Sequence, residues 1–259
     1  MRRRRIDRVR HDLGSDCDPG IVLTERIRAS PFRIEDSAVA PSPHRTNYES
    51  RSLALAVCLA ALAGYVDALG FLFMRGLYVS FMSGNSTRLS TELGRADWHA
   101  AATTAGLIGA FVFGVILGQL IAARNVALDL AAVGTLLAAA GGLYWLGFSS
   151  SVPVLMAMAM GMENCALERD GDVTLSLTYV TGTLVKLGRG LAAALQGQDL
   201  LGWFPYLLLW CGFSLGGVTG AVVFGTWGLD GVWFASGAAF LLVPASLWLC
   251  RPRPVQVSQ

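Results

Sequence analysis

Apolar residues in this chain fall in long unbroken runs rather than in stripes of helical or strand period. Six runs stand out, at 52–73, 99–123, 126–148, 152–167, 203–224 and 231–250. A helix needs about 20 mostly apolar residues to cross about 30 Å of hydrocarbon. The pattern therefore predicts an all-α fold, a polytopic transmembrane helical bundle. The fourth run is the shortest and carries an acid, Glu163. Between the runs lie two polar segments, FMSGNSTRLS (residues 81–90) and YVTGTLVKLG (residues 179–188).

Those two segments belong to an internal repeat. A hydroxyl-Gly pair, a base four residues after the glycine and then Leu recur at an offset of 98 residues. Upstream, Gly64-Tyr65-Val66-Asp67-Ala68 lies over Gly161-Met162-Glu163-Asn164-Cys165 at 97, and downstream Gly114 and Gly118 lie over Gly216 and Gly220 at 102. Self-similarity of this kind divides the chain into two halves, 52–150 and 151–250. Each half then holds an apolar helix, a polar segment and two more helices, giving six to eight membrane segments in all. If the polar segments cross the membrane, the repeats are parallel; if they are re-entrant or interfacial, the repeats are inverted. The length and apolarity of 173–194 favour eight crossings.

Charge adds orientation. Residues 1–51 hold 11 of the 20 basic and 8 of the 18 acidic residues, and the other 208 residues share 9 basic and 10 acidic ones. The mean hydropathy of +0.52 is thus an average over a charged tail and a very apolar body. The tail, rich in Arg, Asp, Ser and Pro, cannot bury enough apolar surface to offset its ordering entropy and is expected to be disordered. Its arginines are followed by no apolar h-region, so it does not read as a secretory signal. By the positive-inside rule the tail lies in the cytoplasm, as does the short tail 251–259 with its RPRP, which requires an even number of crossings.

Candidate chemistry is sparse. Asp67 is the only charge within the first apolar run, and an ionisable group at that depth costs about 2.5 to 3.5 kcal/mol or more unless it faces a partner or a cavity. Glu163 and Asn164 occupy the same place in the second half. A shared polar centre follows, with Asp67, Ser83, Gly84, Asn85, Thr87, Arg88, Glu163, Asn164, Thr181, Gly182, Thr183 and Lys186 as its candidate solute-binding residues. The alternative for Asp67 is a structural ion pair or cap, with Arg75, Arg88 or Lys186 as partner. Arg88 and Lys186 also have the length to snorkel to the interface. The glycines of Gly114-xxx-Gly118 and Gly212-xxx-Gly216-xxx-Gly220 read as close helix contacts, within the chain or across a homo-oligomer. Five scattered cysteines and three distant histidines suggest neither a disulfide framework nor a metal site. No cofactor, nucleic acid or catalytic activity is expected.

AGYVDALGF (residues 63–71), followed by FMSGN, resembles the signature of the YoaK-like family of bacterial integral membrane proteins. The resemblance covers roughly residues 52 to 250 and implies a bacterial inner-membrane location. It implies no substrate. Ser83 stands where the family more often has Thr, and the charged N-terminus is longer than is usual there. Repeated halves with intramembrane acids suit a small-solute secondary transporter or permease whose partners are the lipid bilayer and a solute or proton. The alternative is a scaffold or accessory subunit whose buried polar groups are structural.

Overall fold

A computed structural model describes residues 43–122, 125–166 and 180–249. The N-terminal tail up to residue 42, the acidic segment 168–172 and the C-terminal tail lie outside the described residues. Among the described residues there are eight α-helices and no strand: α1 (Pro43–Phe73), α2 (Met82–Gly94), α3 (Trp98–Ala122), α4 (Val126–Trp145), α5 (Val152–Glu163), α6 (Val180–Leu195), α7 (Phe204–Trp227) and α8 (Val232–Leu249). Short 3-10 turns, Ser149–Ser151 and Gly228–Gly231, precede α5 and α8.

Among the described residues, four stretches are long and apolar enough to cross a membrane: Leu53–Phe73, Trp98–Ile121, Val126–Trp145 and Phe204–Leu247. The last contains both α7 and α8, which the Gly228–Gly231 turn divides. The two helices that begin in the polar segments, α2 and α6, have 13 and 16 residues. At 1.5 Å per residue α2 is about 20 Å long, short of the hydrocarbon thickness, while residues 173–179, the first part of the stretch expected to cross with α6, lie outside the described residues. α5 has only 12 residues, of which nine are buried, so it meets protein rather than lipid.

Local signals end these helices where the sequence changes character. α1 stops at Met74-Arg75-Gly76, where Gly76 takes φ +107° and its N–H closes on Phe71 O at 2.9 Å, satisfying a last-turn carbonyl. Asn125 caps α4, its side chain accepting the Ala127 N–H at 2.9 Å. Pro153 opens α5 and Pro205 opens α7, positions where a missing N–H costs nothing.

Glycine sets the two tightest seams. Along α1 and α7, Gly212 lies against Val57, Gly216 against Ala61, Gly64 against Phe213 and Gly220 against Tyr65, each time backbone to backbone. Partners rise together in number, so α1 and α7 run parallel. Along α3 and α5, Gly114 lies against Met158, Gly161 against Phe111 and Gly118 against Met162, again in parallel. α4 and α8 are antiparallel: Gly134 meets the Phe240 ring, Trp145 meets Trp233 with ring centroids 4.9 Å apart, and the Ser236 hydroxyl donates to Gly134 O at 2.8 Å. α8 is antiparallel to α1 as well: Tyr65 OH, late in α1, donates to Gly231 O at 2.8 Å beside the start of α8, while Leu242 and Val243, late in α8, pack on the cluster that holds Leu55 and Leu59, early in α1. α4 and α5 pack together across the short connection 146–151 as a helical hairpin, and α3 and α4 do so across 123–125. Hence α1, α4 and α7 point one way and α3, α5 and α8 the other. α2 lies at the end where α1 finishes and α3 begins, and α6 at the opposite end. The main core, with Val66, Leu69, Val133, Leu137, Met156, Met160 and Val232, sits among α1, α4, α5 and α8.

Candidate functional site

Between α1 and α2 the chain runs through residues 74–81 without regular structure, and three successive peptide groups there are held by two side chains. The backbone N–H groups of Val79 and Ser80 both donate to Asp67 Oδ1 at 2.8 Å. Asn85 pairs with both edges of Tyr78: the Tyr78 N–H donates to Asn85 Oδ1 at 3.0 Å and Asn85 Nδ2 donates to Tyr78 O at 2.6 Å. Asp67 and Asn85 are buried, at 4% and 0% exposure. Irregular backbone at membrane depth must have its polar groups satisfied by protein, and these two side chains do that. The flanking glycines make room for the segment. A Cβ on Gly70 would stand 2.6 Å from Val79 Cγ1, and one on Gly84 would stand 2.6 Å from the Phe81 ring. Tyr78 closes the unit, its ring centroid 4.8 Å from that of Phe71 and 5.2 Å from that of Phe81. Asp67 thus partners backbone amides rather than Arg75, Arg88 or Lys186.

The remaining residues of the first polar segment turn back onto their own helix. Ser83 and Thr87 are exposed, and the Thr87 hydroxyl donates to Ser83 O at 3.2 Å. Arg88 pairs with Glu92, Nε to Oε1 at 2.8 Å, while the Thr104 hydroxyl of α3 donates to Glu92 Oε2 at 2.7 Å. Burial at the α2–α3 contact pushes the Glu92 carboxyl up, but the bonds from Thr104 and Arg88 and the Arg88 charge outweigh it, leaving the group below its ordinary value. A depressed carboxyl stabilises the fold fully above the unfolded value near 4.5 and loses that contribution as pH falls through the lower folded value. We expect thermal stability in detergent to drop across that acid window, and Thr104→Ala to reduce the drop. An unchanged acid limb in Thr104→Ala would contradict this.

In the second half, Asn164 Nδ2 donates to Met160 O at 2.8 Å. On α6 Gly182 is buried, Thr183 half-buried and Thr181 exposed, and Lys186 Nζ lies 5.7 Å from the ring centroid of Tyr206 on α7. The offsets of the repeat, 98 and 102, carry Arg88 and Thr104 onto Lys186 and Tyr206. Lys186 reaches Tyr206 directly, whereas Arg88 and Thr104 meet only through Glu92, which both bond.

Glu163 is not brought to Asp67. It is the last residue of α5 and its electrostatic neighbour is Asp129, in the first turn of α4. Both side chains have 0% exposure, and among the described residues none donates a hydrogen bond to any of their four carboxyl oxygens. Asp129 is missing from the candidates read off the sequence. The signal was there: it is a lone acid in the run VALDLAAV, found by the criterion that selected Asp67.

A separate recess of about 570 Å³ opens between α1, α7 and α8, lined by Cys58, Leu62, Tyr65, Thr219, Phe234 and Leu241 among others. Its polar groups are already used, since Tyr65 OH bonds Gly231 O and the Thr219 hydroxyl bonds Leu215 O at 3.0 Å and Gly216 O at 2.8 Å. It therefore presents an apolar wall, and neither buried carboxyl of the α4–α5 contact lines it.

No solved structure matches the chain. Among curated sequences it is similar to the UPF0700 transmembrane protein RA0705 of Rhizobium meliloti (strain 1021), 35% identical over 206 residues that cover 78% of this chain and 89% of that protein. It is also similar to the UPF0700 transmembrane protein YoaK of Bacillus subtilis (strain 168), 28% identical over 151 residues that cover 54% of this chain and 66% of that one. Residues 55–245 match the family model described as a protein of unknown function, DUF1275. That match includes the Asp67–Asn85 clamp, both glycine seams and the two buried acids Asp129 and Glu163, and with it the chain belongs to the YoaK-like DUF1275 family of transmembrane proteins.

Proposed function

We propose that this protein is a secondary transporter or permease for a small solute, built from two inverted repeats, each with three helices in the bundle and one short helix at its end. The observation that carries the reading is the Asp129–Glu163 pair: one acid from each half, buried and without hydrogen-bond donors where the halves meet. Intramembrane acids left in that state mark ion or substrate pathways by default. The repeat supports it. An offset of 97 converts the α1 residues of the α1–α7 seam into α5 residues, and an offset of 102 converts α3 into α7: Gly64 against Phe213 becomes Gly161 against Phe111, and Gly216 against Ala61 becomes Gly114 against Met158. Parallel α1 and α7 paired with parallel α3 and α5 point in opposite directions, as inverted repeats do. Six bundle segments rather than eight follow, with α2 and α6 at opposite faces; the segment that opens the second half, with α5 in it, is the shortest of the six. With both termini in the cytoplasm of a bacterial inner membrane, Arg75, Arg88 and Arg95 lie outside and the other six basic residues of the body inside.

Uptake into proteoliposomes over a panel of small solutes tests this. At least one solute should enter faster than into protein-free vesicles, and Glu163→Gln or Asp129→Asn should slow it by about tenfold or more, the effect of about 1.4 kcal/mol. A panel with no protein-dependent uptake would leave the second reading, an accessory or scaffold. The Asp67–Asn85 clamp favours that one, since it uses the first half's intramembrane acid for structure alone.

A further inference from the structure

We propose that Asp129 and Glu163 form one proton-binding site, a carboxylic acid hydrogen-bonded to a carboxylate. The site deepens the transport reading by naming its coupling ion, although its existence does not depend on transport. Asp129 stands in the first turn of α4, yet its oxygens take no backbone N–H; Asn125 fills that role by accepting from Ala127. Glu163 closes α5, where the helix dipole presents its negative end to an anion. The packing of α4 on α5 brings the two buried acids within each other's field, and none of their four oxygens has a donor from the described residues. Two carboxylates so placed cannot both stay ionised, because each uncompensated buried charge costs several kcal/mol and the like charges repel. A cation must join them. No group of three metal-ligating side chains occurs among the described residues, so a multivalent ion lacks a cage. A proton needs only one oxygen from each acid: it binds one carboxylate to give the acid, whose O–H donates to the other, and no other bond changes.

The helices packed on α4 and α5 bring no competing charge among the described side chains. α8 has no titratable side chain in its range. α1 offers Cys58, Tyr65 bonded to Gly231 O, and Asp67 held by the 78–80 segment. α3 offers His99, exposed at its start, and Tyr144 lies at the far end of α4. Cys165, two residues beyond Glu163, directs its thiol to Val115 O at 3.5 Å. Asp129 is the fourth residue of α4, about 5 Å from the helix start, so the site lies near one face and opens to water there if α4 and α5 part.

Infrared difference spectra of the full-length protein in lipid nanodiscs test the assignment. At neutral pH we expect the carbonyl stretch of a protonated carboxyl that shifts in deuterated water and disappears at high pH. Asp129→Asn with Glu163→Gln should abolish it; both changes keep shape and remove charge, so the bundle should still elute as one species. A wild type without that band at neutral pH overturns the proposal, as does a band unchanged in the double variant. Loss of the band when sodium chloride replaces choline chloride at fixed pH overturns it too, in favour of a sodium site. The wild-type spectra decide the matter even if the double variant does not fold. The transport reading fails separately. A band behaving as expected, together with no proton-coupled uptake of any solute, keeps the proton site and removes the transporter. Solute uptake with no such band does the reverse.

Discussion

Gly64→Leu should leave no folded protein after extraction into detergent. A Cβ at residue 64 falls inside contact distance of Phe213 O on α7, and a backbone carbonyl cannot swing aside as a side chain can. Relief requires α1 and α7 to separate along a seam where Gly212, Gly216 and Gly220 also touch backbone. Overpacking a core that can relax costs about 1 to 3 kcal/mol. Here the neighbour is rigid and several turns are affected at once, so the cost should exceed that range and approach the whole stability of a domain, about 5 to 15 kcal/mol. Gly161→Leu on α5, against Phe111 O, should fail in the same way. Gly106→Leu and Gly109→Leu on α3 are the controls, because nothing lies within 4 Å of a Cβ at either place. Size-exclusion profiles and thermal midpoints report the result. A Gly64→Leu protein that elutes and melts like wild type would show that α1 and α7 do not meet backbone to backbone there.

Asp67→Ala should be the most damaging change outside the seams. It strands the N–H groups of Val79 and Ser80 in a buried site, and each orphaned donor costs about 1 to 3 kcal/mol, so the loss should be about 2 to 6 kcal/mol. Asp67→Asn keeps an acceptor oxygen and should cost less. Asn85→Ala releases both edges of Tyr78, and combining it with Asp67→Ala should add less than its separate effect, because both side chains hold one three-residue segment. Amide hydrogen exchange at residues 78–80 is the direct measurement. Protection there that survives Asp67→Ala would return Asp67 to the list of solute-binding candidates.

These two expectations show how far residue patterns reach. The apolar runs identify the crossing helices because desolvated backbone at that length has no alternative to helix. The glycine spacings on α3 and α7 identify close helix contacts, because a missing Cβ is readable from sequence. The signature residues Gly64, Asp67, Gly84 and Asn85 are legible as important. Their use is not, since whether an acid in an apolar run meets a solute, a cation or an amide depends on what the chain folds against it.

Asp129 and Glu163 make the same point from the other side. Each is recognisable alone as a charge in apolar surroundings, but their pairing joins residues 34 positions apart through the packing of α4 on α5. By itself, then, the sequence determined a helical membrane protein with an Arg-rich tail, matched landmarks in its two halves and polar groups worth explaining. Those follow from local composition and spacing, which act within a turn or two. Only the tertiary structure decided that α1 runs parallel to α7, that Asp67 clamps a loop, and that the acid whose charge reaches Glu163 is Asp129. Direction and partnership depend on which helices pack together, and helices packing across the bundle bring together residues that no local spacing relates.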